Sequence, residues 1–106
     1  MMLTLPSNPT LADFHRYVTE MVKERGFENE TLPQLFMLLL EECGELAKAA
    51  RKNTNIKSDA TSQKFDPALE AADVFIYLLG ICNHLGIDLE DAFRKKEEIN
   101  KQRRWS

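Results

Sequence analysis

A chain of 106 residues with 43% apolar content suits one domain and leaves no room for a second of ordinary size. Its 14 basic and 17 acidic residues leave a net charge of −3, which argues against a protein built chiefly to grip a nucleic-acid backbone. A domain this small buries only about two-thirds of its unfolded surface, so burial through oligomerisation is expected to help.

The opening "MMLTLPSNPT" has neither the basic region nor the long apolar core of a secretory signal, and no run reaches the ~18 apolar residues of a membrane span. The expectation is a cytoplasmic protein that binds neither membrane nor nucleic acid. Cys43 and Cys82 have no CxxC partner and read as small buried hydrophobes. His15 and His84 are isolated, which is a poor basis for zinc.

Thr10, with Asp13 three residues on, opens a first helix over 11–25. Its apolar positions Leu11, Phe14, Val18, Met21 and Val22 keep helical spacing, and Gly26 ends it. Thr31 and Gln34 have the spacing of a second capping box, with Pro33 tolerated in the first turn, and predict a helix over 32–52. The polar stretch "NTNIKSDATSQKF" reads as a loop, long for so small a domain and either a plain connector or functional. Asp66-Pro67 is an N-cap followed by an N1 proline, and the apolar run behind it predicts a third helix over 67–85. Asp88 caps a fourth over 89–104, with Asp91 in its first turn and basic residues crowding its end. No segment alternates with period two. The fold expected is an all-α four-helix bundle occupying residues 1–106 as a single domain.

Several polar residues fall on faces that should pack. At about 100° per residue, Glu42 projects into the middle of the stripe made by Leu35, Leu38, Leu46 and Ala49, with Glu45 at its edge. Burying an unpaired carboxylate costs several kcal/mol, so something must neutralise them. The third helix repeats the pattern, because Glu70 and Asp73 share one face with Val74, Tyr77 and Ile81. Two such pairs on facing helices would gather four carboxylates, which cannot all stay ionised without a cation. Oxygen-only ligands point to Mg²⁺, with Mn²⁺ as a substitute. On the fourth helix Lys96, Asn100 and Arg103 continue the stripe of Leu89, Ala92 and Phe93, so that face turns cationic toward its end. Taken singly, each pair is an ordinary solvated helix face. Together they form a pocket suited to a metal-bound polyphosphate.

The segments "EECGE" (41–45) and "EAAD" (70–73) resemble the ExxE…ExxD signature of the MazG-like, all-α nucleoside triphosphate pyrophosphohydrolases. The downstream "GIDLEDAFRKKEEINKQRRW" is similar to the stretch in which that family repeats a Lys, an Asn and an Arg. The resemblance covers about 32–105. It implies a Mg²⁺-dependent enzyme that hydrolyses a (deoxy)nucleoside triphosphate between its α- and β-phosphates in nucleotide-pool house-cleaning, and a homodimer or homotetramer that completes the bundle. It further implies that Glu42, Glu45, Glu70 and Asp73 hold metal and that Lys96, Asn100 and Arg103 contact substrate. Glu41, one turn before Glu45, is the candidate general base. Phe14, His15, Phe27 and Tyr77 are candidate walls for a nucleobase; Trp105 could stack on a base or pack on a partner. Gly44 would allow another helix to approach closely. Two rival readings are a phosphoribosyl-ATP pyrophosphohydrolase and a non-catalytic helical module that binds nucleotide or a partner protein.

Overall fold

The structure, a computed structural model, describes residues 3–53 and 66–103. The expected loop beyond Asn53, the end of the fourth helix at 104 and Trp105 lie outside the described residues. Four helices follow in chain order: α1 (Leu11–Glu24), α2 (Leu32–Asn53), α3 (Pro67–Leu85) and α4 (Leu89–Lys101). No strand occurs among the described residues.

The boundaries follow from local chemistry. In the first capping box the Thr10 N–H donates to Asp13 Oδ2 at 2.8 Å and the Asp13 N–H to Thr10 Oγ1 at 3.2 Å. The second is the same device, with the Thr31 N–H on Gln34 Oε1 at 2.8 Å and the Gln34 N–H on Thr31 Oγ1 at 3.3 Å. Asp66 accepts from the Ala68 N–H and Asp88 from the Asp91 N–H. Gly26 and Gly86 follow α1 and α3 with φ of 74° and 70°, where a side chain would be strained. Behind them Phe27 N–H reaches Val22 O at 2.9 Å and Ile87 N–H reaches Cys82 O at 2.8 Å, closing both helix ends.

The fourth helix is shorter than its sequence suggests. Its cap is Gln102, and the Arg103 N–H bonds Asn100 O at 3.1 Å in a tighter turn, so Arg103 sits past the helix and off the stripe expected for it. A run of charged residues has no apolar contact with which to hold its last turn.

α2 and α3 are the principal packing pair; α1 lies on α3, and α4 touches α1. Val18, Met21 and Leu79 centre the core, with Phe14, Val22, Phe75 and Ile76 around them. Phe14 meets Phe75 edge to face at 5.4 Å between ring centres, so Phe14 is a core residue. Much apolar surface stays open: Met37 is 71% exposed, Leu40 69% and Phe93 66%. Cys82 is buried as expected, but Cys43 is exposed, because it falls on the flank of α2 turned away from α3. No atom lies within 4 Å of where a Cβ on Gly44 would be, so the close helix approach expected there is not made within one chain. α3 is long and apolar enough on average to cross a membrane; soluble core helices meet that measure too, and this one is interrupted by Glu70 and Asp73 in its first two turns.

His15 ties three helices together. Its Nε2 accepts from the Leu89 N–H at 3.1 Å, which fixes the tautomer: Nδ1 carries the proton and donates to Asn83 Oδ1 at 2.7 Å. Asn83 Nδ2 returns bonds to His15 O at 3.0 Å and Thr19 Oγ1 at 3.1 Å. The imidazole thus satisfies one of the orphan N–H groups that open α4, and it is a structural group rather than a nucleobase wall. His15→Phe keeps an aromatic ring but strands these partners, and should cost about 1–3 kcal/mol, measured as a lower urea midpoint at unchanged slope.

Candidate metal centre

The second and third helices meet along the face that carries the misplaced carboxylates. Glu42, Glu70 and Asp73 each offer one oxygen, and these three atoms lie within 4.8 Å of one another. Glu42 and Glu70 are half-buried and Asp73 is exposed. Glu70 stands in the first turn of α3, where the helix dipole favours a negative charge. Asp73 follows one turn later on the same face.

The electrostatics record the crowding. Burial, then the charges of Asp73, Glu70, Glu41 and Glu45 in that order, push the Glu42 carboxyl above the usual glutamate range. Three converging oxygen donors, one of them driven toward protonation by burial and by its neighbours, fit a hard divalent cation, which would offset the repulsion among them.

Three of the four expected ligands are therefore brought together. Glu45 lies outside that triad, one turn beyond Glu42 and half-buried, acting on it through charge alone. Glu41 is exposed and lines a small cleft with Gln34, Met37 and Leu38, beside the triad and outside it.

Tyr77, one turn after Asp73, is half-buried, and burial followed by the charges of Glu30, Glu42, Asp73 and Glu41 pushes its phenol up. It is therefore an O–H donor among carboxylates. With Phe27, Leu35 and Asp73 it lines a cavity of about 120 Å³ between α1, α2 and α3. Two of the four candidate walls, Phe27 and Tyr77, thus reach the triad's neighbourhood. Glu30 was not legible beforehand: a single glutamate in the polar loop "FENE" has no periodicity to betray it, yet it lines this cavity and two adjoining clefts.

The family described as phosphoribosyl-ATP pyrophosphohydrolase matches residues 11–100, a span that holds all four helices almost whole and every carboxylate of the site. The chain belongs to this family, within the MazG-like pyrophosphohydrolases. Among curated relatives it is 35% identical over 100 residues to dCTP pyrophosphatase 1 of Mus musculus, covering 90% of this chain and 59% of the mouse protein. The human dCTP pyrophosphatase 1 is 33% identical over 102 residues, with the same two shares of 90% and 59%. The dATP/dGTP diphosphohydrolase of Cyanophage S-2L is 40% identical over 68 residues, 64% of this chain and 52% of the phage protein. The chain thus spans between half and two-thirds of the length of these relatives.

The remaining residues singled out in the sequence lie on α4. Lys96 is exposed and Asn100 half-buried. Asn100 Nδ2 makes a long 3.5 Å bond to Glu97 Oε1, while its Oδ1 is buried without a hydrogen-bond partner. Arg103 is exposed in the turn after the helix.

A carboxyl that binds its proton more tightly folded than unfolded destabilises the fold at neutral pH, and the penalty fades as pH falls through the raised pKa. Asp13 runs the other way: bonded to the Thr10 backbone N–H, then to Arg16 and the Thr10 hydroxyl, it is held below the usual aspartate range and its contribution is lost only under stronger acid. The metal-free protein should accordingly melt higher as pH falls from neutral toward the upper edge of the carboxylate range. Glu42→Gln should flatten that rise, increase metal-free stability at neutral pH, and shrink the thermal shift caused by Mg²⁺ or Mn²⁺.

Proposed function

We propose that this chain is a Mg²⁺-dependent nucleoside triphosphate pyrophosphohydrolase that releases a (deoxy)nucleoside monophosphate and pyrophosphate, acting in the cytoplasm to clear surplus or non-standard nucleotides. The convergence of Glu42, Glu70 and Asp73 carries the reading, because three carboxylates at one helix contact have no packing purpose and suit a metal-bound polyphosphate. The relatives' names support it, since a dCTP pyrophosphatase and a dATP/dGTP diphosphohydrolase both act on deoxynucleoside triphosphates. The family's own description favours a second reading, phosphoribosyl-ATP as substrate; that molecule presents the same triphosphate.

Glu42, Glu70 and Asp73 would hold the cation, with Glu45 next in line on α2. Bound there, a divalent cation neutralises phosphate oxygens and makes water more acidic. The oxygen of water adds to the α-phosphorus as the bond to the bridging oxygen breaks, and that oxygen leaves with pyrophosphate. Glu41 takes the proton of the attacking water; its exposure and position one turn before Glu45 keep it free to do so. Tyr77 donates its O–H to the bound nucleotide from the cavity wall.

Lys96, Asn100 and Arg103 serve the triphosphate from a second copy. The open apolar surface of α2 and α3, with Met37, Leu40 and Leu69 largely exposed, is the face on which two chains would meet. A homodimer, or a tetramer of two such dimers, would bury it and bring the cationic end of one α4 toward the acidic triad of the other.

Pyrophosphate release from a panel of deoxynucleoside triphosphates, ribonucleoside triphosphates and phosphoribosyl-ATP tests the activity and separates the two substrate readings. No release from any of them, with Mg²⁺ still binding, would leave a non-catalytic module. Glu70→Gln and Asp73→Asn should each abolish turnover, while Glu41→Gln should lower kcat by about 100-fold or more with the Mg²⁺ thermal shift intact. An unchanged kcat in Glu41→Gln removes it from the mechanism. Light scattering at micromolar concentration should give a dimer or tetramer, and Leu40→Glu should drive it toward monomer.

A further inference from the structure

Beside the triad lies a cavity of about 120 Å³ whose wall includes Phe27, Leu35, Asp73, Tyr77 and Gly80. Asp73 belongs both to this wall and to the triad, so a molecule whose phosphates sit at the carboxylates has its next bulky group directed here. Phe27 and Tyr77 supply aromatic surface, Leu35 an apolar side, and Gly80 leaves open space where another residue would place a Cβ. These features favour a flat ring. They do not by themselves tell one ring from another.

Glu30 can. It enters the cavity from the loop between α1 and α2, anchored by its own N–H to Phe27 O at 3.1 Å. Its side chain is half-buried and makes no hydrogen bond or ion pair with any described residue. It shares the wall of this cavity with Tyr77, and after burial its charge is the first of those that push the Tyr77 phenol up. Arg25 lines the same cavity from the end of α1, with no ion pair to Glu30 among the described residues. An ionised carboxylate is an acceptor only.

We propose that Glu30 is a base-reading residue that selects nucleobases presenting an exocyclic amino group to this cavity, as cytosine does, over those presenting a carbonyl there, as uracil does. The inference rests on the pyrophosphohydrolase reading for its phosphate end, but the discrimination itself is a property of binding. An amino N–H donates to the Glu30 carboxylate. A carbonyl oxygen in that place meets a second acceptor and leaves both without a proton between them. One such hydrogen-bond difference corresponds to about 1–3 kcal/mol of discrimination, or roughly 5–150-fold in affinity.

The cytosine and uracil pair tests this cleanly, because the two bases match in size and differ in the amino and carbonyl groups and the adjoining ring nitrogen. Calorimetric binding of dCMP and dUMP to the full chain with Mg²⁺ should show dCMP bound about tenfold or more tightly. In Glu30→Gln, whose amide can turn either an oxygen or an NH₂ toward the base, that ratio should collapse toward one, chiefly through a gain for dUMP. Glu30→Ala should lose the preference by weakening dCMP. The Mg²⁺ thermal shift should be unchanged in both variants, which separates base reading from damage to the fold or the metal centre. A wild-type chain that binds the two equally, or a Glu30→Gln chain that keeps the wild-type ratio, overturns the proposal. If the wild type turns over no nucleotide yet shows the binding ratio and its loss, the pyrophosphohydrolase reading falls and the assignment of Glu30 stands.

Discussion

Repulsion among Glu42, Glu70 and Asp73 is the constraint around which the rest of the chain is arranged. Each could have been placed on an outer face of its helix at no cost. Instead α2 and α3, the most closely packed pair, bring all three oxygens within 4.8 Å, and burial together with the neighbouring charges pushes Glu42 toward protonation. A fold with only six buried apolar residues among those described has little stability with which to offset such crowding. The arrangement persists because α2 and α3 are fastened elsewhere: two capping boxes and two capped helix starts fix where the helices begin, while Gly26 and Gly86 fix where α1 and α3 end. The site is thus held by groups that take no part in it.

Val18, Met21 and Leu79 cluster where α1 lies on α3, and the His15 and Asn83 bonds link that core to the start of α4. Between this core and the triad lies the cavity lined by Phe27, Tyr77 and Asp73. Open space is left beside the carboxylates, as expected where binding needs space and donors rather than contact.

Much of this was legible in the sequence because it depends on spacing. Caps at Thr10, Thr31, Asp66 and Asp88 are read from side chains that act within three residues of their own position, and all four helices start where those signals put them. Glu42, Glu70 and Asp73 were legible because a carboxylate inside an apolar stripe violates a period that can be counted. Residues whose meaning depends on distant contacts were not legible. Cys43 looked like core until the fold turned its flank outward, and His15 looked like a free aromatic until α3 and α4 closed on it. Arg103 was assigned to a helical register that ends before it, since nothing in a charged tail announces the last turn.

Glu45 and α4 carry the expected site residues that stand outside the triad. Glu45 shares the ExxE spacing with Glu42, yet it stays outside the triad. Lys96 points to solvent and Asn100 keeps a buried oxygen unpartnered. Polar groups that are oriented but not satisfied are rare in finished folds. Their coincidence with the open apolar faces of Met37, Leu40 and Leu69 is economical if one further event supplies both needs, covering the apolar surface and bringing opposite charge to the acidic end. Repulsion at the triad and exposure at α2 and α3 would then be relieved together, the first by cation and substrate, the second by another copy. Each would make the other more favourable, since binding partners that select the same conformation stabilise it cumulatively.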